Sequence, residues 1–489
     1  MNPEKSKVIH VGNRLIEYNR YDIIVLVAAI CFVMFFSLFS LYRLSVFDPQ
    51  FDTVIFNQAF YSTIHYGGLL SNSLEGGSHF GVHFSPILFT ILPIYYFFPA
   101  PATLFILKSI LITLGVIPVY FCAREYLGSK NACIIVLIYF LYPCVQGAAY
   151  CDFYESSFFP VFIGLTLWAY LTKRNTLMLA CGCLCLLIKE DASLLILMLG
   201  LVGLYLNRLK TLKENRNFIF LILLSLIVLF SFLLVIKPAF STTNLEAANQ
   251  FLDQYKNIPE NLSDHNSDRV YYLLQLFGPL LFIPFAASLV LVIALPSFFE
   301  ILLSPNPEYF YVGQHYSALI IPVIFMSFII GIKSIYSNKS NKHLIPQKNL
   351  LILILGFSLI STLLWSPVIP PLQYAIHGGH VPTWQHSPVL HQAISLIPED
   401  VSVASPMNIL PFLTNHREIY MDYNVSADVI LLDAKLPEYA DDFQKNIALI
   451  KNQYQQVLNT DGVSLYVTKN NPQLVEIMGK RCERVFVPN

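Results

Sequence analysis

No lysine or arginine occurs between Arg43 and Lys108, and Asp48, Asp52, Glu75, His79 and His83 interrupt the apolar sequence there. Elsewhere basic residues gather in short clusters after alternate apolar segments. In a chain that crosses a bilayer repeatedly, this asymmetry sets orientation, because cytoplasmic loops carry the Lys/Arg excess. It also separates the end that anchors the molecule from the end available for chemistry. Hydrophobic residues make up 55%, charged residues 12%, and mean hydropathy is +0.57. Soluble domains carry about 25% charged residues, so a polytopic, mainly α membrane protein is expected. A net charge of -1 and a pI near 6.9 argue against a nucleic-acid partner, which would need a basic face. The first twenty residues are polar, with Lys5, Lys7, Arg14 and Arg20 and no short apolar core, so no cleavable signal peptide is expected.

A span needs about 20 apolar residues, or fewer inside a bundle. The expected spans start with Tyr21–Val46, followed by Ala102–Ala123, Ala132–Ala149, Phe153–Leu171, Thr176–Ile188, Ala192–Leu206 and Phe218–Ile236. A hairpin over Tyr271–Leu303, then His315–Ile332 and Leu350–Trp365, bring the total to about 11 transmembrane helices. The stretch Phe84–Phe98 holds Pro86 and Pro93 and is too short to cross, so it reads as re-entrant or interfacial. With that choice every basic cluster is cytoplasmic, the N-terminus is cytoplasmic, and the polar loop Ser241–Asp268 is outside. The cysteines sit mostly in apolar segments, where they act as small hydrophobes. Cys181, Cys183 and Cys185 step by two and fan around a helix.

From Ser366 the character changes. Val401–Ala404, Val429–Leu432 and Val463–Val467 read as strands, and Pro437–Leu458 as intervening helix. The expected organisation is a transmembrane domain over 1–366, with a long first outer loop at 47–101, and a small extracytoplasmic α/β domain over 367–489.

Ionisable residues near membrane level on the outer side come from separate parts of the chain. Charges at that depth are costly and face a cavity or a partner. Asp52 follows the first span and is either a general base or a helix cap. His79 and His83 are four apart; they suit metal ligation if helical, phosphate hydrogen bonding, or simple interfacial placement. Asp152 and Glu155 fit a helix start, or a divalent cation held together with Asp52. Lys189-Glu190-Asp191 interrupts two short apolar segments; it can neutralise a lipid phosphate, or form a polar turn whose charges reach the interface. Gln314-His315-Tyr316 opens a span and belongs equally to a site or to an aromatic belt.

These segments resemble a bacterial and archaeal family of predicted membrane proteins, domain of unknown function 2079. The likeness rests on Phe51-Asp52 to Asn57-Gln58, Ser78-His79-Phe80 to Pro86, Leu141-Tyr142-Pro143 and Phe153 to Glu155. It extends through Lys189-Glu190-Asp191, His315-Tyr316 to Pro322, and Pro398-Glu399-Asp400 to Ile419-Tyr420. The family's layout is similar to GT-C glycosyltransferases, so the resemblance implies transfer of a sugar from a polyprenyl-phosphate donor to an unknown acceptor at the outer leaflet. It assigns the base to Asp52; the residue chemistry itself offers His79, His83, Asp152, Glu155, Lys189, Glu190, Asp191, Gln314, His315 and Tyr316 for substrate binding. Many such relatives have two neighbouring acids in the first loop, whereas Thr53 follows Asp52 here; a divalent cation is an open cofactor. Membrane lipids are the other expected partners, and a bacterial inner membrane the expected location. The rivals are a lipid or solute transporter or flippase, which would place charges at mid-span and show internal repeats, and a non-catalytic membrane scaffold.

Overall fold

The computed structural model describes residues 7–11, 14–48, 51–207, 211–241, 258, 264–337, 345–369, 387–421, 427–435 and 440–486. Most of the expected outer loop 241–268 and the basic clusters near 208–210 and 338–344 lie outside the described residues.

The first long helix, α1 (Arg20–Ser45), opens on a reciprocal cap. The Asn19 side chain accepts from the amides of Tyr21 and Asp22, and Asp22 accepts from the Asn19 amide. Its 26 residues rise about 39 Å at 1.5 Å each, enough to cross a bilayer. Large apolar side chains along it, such as Leu26 and Leu38, are exposed, as a lipid-facing helix requires.

Five helices among the described residues are long and apolar enough to cross a membrane: Arg20–Ser45, Pro101–Leu127, Leu212–Phe240, Ile283–Leu303 and Gln347–Trp365. Ser129–Phe140 and Pro143–Tyr150 make a sixth, bent by 52°. The bend falls at Leu141-Tyr142, where Pro143 cannot donate to the preceding turn. Asn175–Cys185, Asp191–Leu206 and Ile321–Ser337 are shorter apolar helices. Two expected helix starts are displaced. Phe153–Leu171 becomes a 3-10 turn, Glu155–Phe158, then a helix, Phe159–Leu171. His315–Ile332 likewise begins as a 3-10 turn, His315–Leu319, before Ile321–Ser337. Pro160 and Pro322 sit in the first turns of the α-helices proper, where proline fits. The segment 84–98 is broken into Pro86–Thr90 and Leu92–Phe97, too short to span. Tyr96, Phe97 and Phe98 stay exposed while Tyr95 is fully buried.

The bundle has two chemically distinct ends. At one, Asp22 accepts from Tyr120 (2.7 Å) and Arg124 (3.2 Å), and Arg174 pairs with Glu125 and lies over Trp168. Lys333 lies over the Tyr126 ring. At the other end is helix α2 (Phe51–His65), which follows α1 after a short connection.

A five-stranded sheet lies in the C-terminal part. Its order is Ile419–Tyr420, Val403–Ala404, Val429–Asp433, Val463–Thr468, Tyr454–Thr460. The first three strands are parallel and the last two join antiparallel. Val429–Asp433 is buried throughout, as a central strand covered on both faces should be. The helix expected over Pro437–Leu458 stops at Gln453, and Tyr454–Leu458 is strand instead. That strand turns at Asp461-Gly462, both at positive φ, to pair with Val463–Thr468. The apolar core of this part also takes in Phe47 and Val54 from the first loop.

Candidate functional site

Helix α2 carries Asp52 in its first turn, where the first four backbone amides have no partner within the helix. The Asp152 carboxylate supplies one: its Oδ2 accepts from the amides of Asp52 (2.9 Å) and Thr53 (3.3 Å). Asp152 therefore caps α2 across the bundle and does not start its own helix. The opposite face of α2 is held by the C-terminal part. Asn57 donates to Thr414 and accepts from Tyr95, and Gln58 donates to the His416 carbonyl (3.2 Å). Asp48 is drawn aside by Arg43.

Two glycines let the remaining elements close on α2. A Cβ on Gly147 would lie 1.8 Å from the Val312 carbonyl oxygen, so helix Pro143–Tyr150 meets the backbone leading to His315 only because that side chain is absent. A Cβ on Gly81 would lie 2.8 Å from the Phe240 carbonyl. The histidine turn His79–Gly81 packs there against the end of helix Leu212–Phe240, with Phe80 and Phe240 in ring contact.

These elements enclose a cavity of about 220 Å³ lined by Asp52, Glu75, His79, His83, Glu155, Lys189, His315 and Tyr316, with Tyr154 and Tyr309. A smaller pocket that shares Lys189, Tyr309, His315 and Tyr316 with it reaches Asp191 and Glu300. His79 Nδ1 lies 3.0 Å from both Glu75 oxygens, and Asn72 fixes Glu75 in turn. His83 Nδ1 meets Glu190 Oε1 at 2.7 Å, while Glu190 Oε2 accepts from the Phe84 amide. Lys189 Nζ lies 3.6 Å from Glu155 and 3.4 Å from Asp191. Tyr154 donates to the Asp52 carboxylate, and its ring stacks on His315 at 3.4 Å. Tyr316 and then Tyr309 continue the stack. His79 Nε2, His315 Nδ1 and Glu155 Oε2 are buried without hydrogen-bond partners.

The carboxylates are not alike. Charged neighbours hold Glu75 below the ordinary range despite its burial, through His79, and bring Glu190 down to about 2 through His83 and Lys189. Asp52 has only a tyrosine hydroxyl; burial and the adjacent Asp152 push it up to about 7. Glu75 draws His79 upward against its burial, whereas burial keeps His315 well below its ordinary value and therefore neutral. The arrangement offers one proton acceptor poised near neutrality, one lysine, imidazoles paired with carboxylates, and unfilled hydrogen-bonding positions.

Of the residues expected at the site, Asp52, His79, His83, Glu155, Lys189, His315 and Tyr316 line the main cavity. Glu190 orients His83, and Asp191 lines the smaller pocket. Asp152 and Gln314 line neither. Asp152's carboxylate is engaged by the α2 amides, and Gln314 precedes the turn that starts at His315 without a side-chain capping bond. Among the described residues no three His, Cys, Asp or Glu side chains converge to hold a metal ion. Tyr154, Tyr309 and Glu75 were not expected in binding roles. Glu75 shares the lysine-free stretch with Asp52, but nothing local marks the two tyrosines.

Apolar helices in this order, a polar cavity at one end and a small C-terminal sheet define an integral membrane protein of GT-C-like fold. A solved structure agrees. ArnT from Cupriavidus metallidurans bound to undecaprenyl phosphate superposes with a TM-score of 0.57 at 9% identity, covering 91% of this chain and 97% of that one. The apo form of ArnT from the same organism gives 0.49 at 12% identity, covering 90% and 98%. The chain belongs to the family described as predicted membrane protein (DUF2079), matched over residues 40–465. No curated protein matches it.

Proposed function

We propose that this protein is a membrane glycosyltransferase that moves a sugar from a polyprenyl-phosphate donor to an acceptor at the outer leaflet, with Asp52 as general base. The observation that carries the reading is that Asp52, His83 and Lys189, more than 100 positions apart at the extremes, line one cavity. The other acids lining it have charged partners; Asp52 has a neutral one and titrates near neutrality, as a base working at pH 7 should. Lys189 and the His79 imidazolium are suited to the anionic head of a lipid-linked donor, and the stacked rings of Tyr154, His315, Tyr316 and Tyr309 to a sugar face. The GT-C-like fold, and the undecaprenyl phosphate bound in the ArnT structure, favour a donor of that kind. Under this reading the end that holds Arg124, Arg174 and Lys333 is cytoplasmic, the membrane is a bacterial inner membrane, and residues 367–489 form an extracytoplasmic domain that covers the site or selects the acceptor.

The test is transfer from a polyprenyl-phosphate sugar by the protein reconstituted in nanodiscs. Asp52→Asn is expected to lower transfer by roughly 10²-fold or more while leaving insertion intact; transfer at the wild-type rate would remove Asp52 from the mechanism. Lys189→Ala is expected to weaken donor binding, and unchanged donor affinity would exclude its role at the phosphate. Mass spectrometry of co-purified lipid separates this reading from a scaffold, which needs no polyprenyl phosphate.

A further inference from the structure

Two buried cations that do not line the cavity lie close to Asp152. Lys108, fully buried in the Pro101–Leu127 helix, donates to the Cys151 carbonyl. Arg43, at the end of α1, donates to the Tyr150 carbonyl at 2.7 Å, lies over the Tyr150 ring and also meets Asp48. Between them they hold the segment that ends in Asp152. We propose that Asp152 is a positioning residue that both anchors helix α2 and sets the proton affinity of Asp52, with Arg43 and Lys108 keeping Asp152 itself charged.

The geometry gives the direction. Asp152 accepts from the amide of Asp52 itself at 2.9 Å, so two carboxylates share the first turn of one helix in a low-dielectric setting. Such neighbours do not both ionise in the ordinary carboxylate range; the one with fewer compensating groups keeps its proton to higher pH. Asp152 has two amides and two nearby cations. Asp52 has the Tyr154 hydroxyl, and faces Glu155, Glu308 and Tyr316 from neighbouring segments and Lys189 and His79 across the cavity. Burial raises both carboxyls, but at Asp152 the two amides, Arg43 and Lys108 oppose that rise, so the shared proton favours Asp52, and the charge that favours it there belongs to a residue that does not line the cavity.

The kinetic part of this inference rests on the glycosyl-transfer reading, so the primary test is independent of activity. A hydrophobic carbodiimide labels protonated carboxyl groups, and the Asp52 peptide of the full-length protein in nanodiscs is quantified by mass spectrometry across pH. Half-maximal protection is expected near pH 7 in the wild type. Asp152→Asn keeps an amide acceptor while removing the charge, and Asp152→Ser does the same with a shorter group. Both are expected to move the midpoint down by about one pH unit or more. The acid limb of the transfer rate should move with it. An unchanged or raised midpoint in either variant, or a wild-type midpoint near pH 4, overturns the proposal. So does failure of both variants to fold, because the charge would then serve folding and not tuning. If transfer survives Asp52→Asn while the midpoints shift as stated, the enzyme reading fails and the coupling between the two acids stands.

Discussion

At the scale of single residues, Asp52, the proposed base, is also a weak point. Its folded-state affinity for a proton is raised, to about 7, above the unfolded carboxylate value near 4. The folded protein thus binds more protons than the unfolded chain between those two values, and the stability associated with that proton is present below pH 4 and lost as pH rises to 7. Asp52→Asn carries no such penalty. Its melting temperature in detergent should exceed that of the wild type at pH 8 and converge with it at pH 5, while transfer is lost at both. Asp52 was legible in the sequence because it stands just after the first span, at the start of a loop that holds acids and histidines and no lysine or arginine. The role of Asp152 was not: its i, i+3 spacing with Glu155 implied that it starts its own helix, and only the folded chain brings it to the amides of α2. The two tyrosines that complete the stack lie in irregular segments where no periodicity singles them out.

At the scale of elements, close backbone approach sets the site. Gly147 in the helix Pro143–Tyr150 meets the Val312 carbonyl, and that contact brings His315 over Tyr154. Gly147→Ala is expected to cost roughly 1–3 kcal/mol or more through overpacking, read as a lower melting temperature, and to weaken donor binding because the ring stack is displaced. Equal stability would mean the two backbones separate without consequence. The apolar segments were legible from length and from Pro86, Pro93, Pro143 and Pro284. The start points of two helices were not, because a 3-10 turn and an α-helix share the same apolar sequence. Tyr454–Leu458 was missed for another reason. Its composition suits a helix, but Asp461-Gly462 just beyond it is a strong hairpin turn that imposes strand pairing with Val463–Thr468.

At the scale of the whole molecule, the separation of charge predicts sidedness. A cysteine introduced at Glu399 should react with a membrane-impermeant maleimide in spheroplasts, whereas one at Lys173 should react only after permeabilisation; the reverse pattern would invert the proposed orientation. Ion pairs at the basic end, such as Arg174 with Glu125 at 3.4 Å, add little stability, so their collective placement matters more than their individual strength.

Helix α2 is shared property: one side presents Asp52, while Val54 joins the apolar core of the C-terminal part and Asn57 and Gln58 donate to Thr414 and to the His416 carbonyl. The C-terminal part is consequently not an accessory that can be excised. A chain ending at Ser366 would leave apolar surface wet and buried amides without their acceptors, and the first thing to loosen would be the pedestal under the reactive acid.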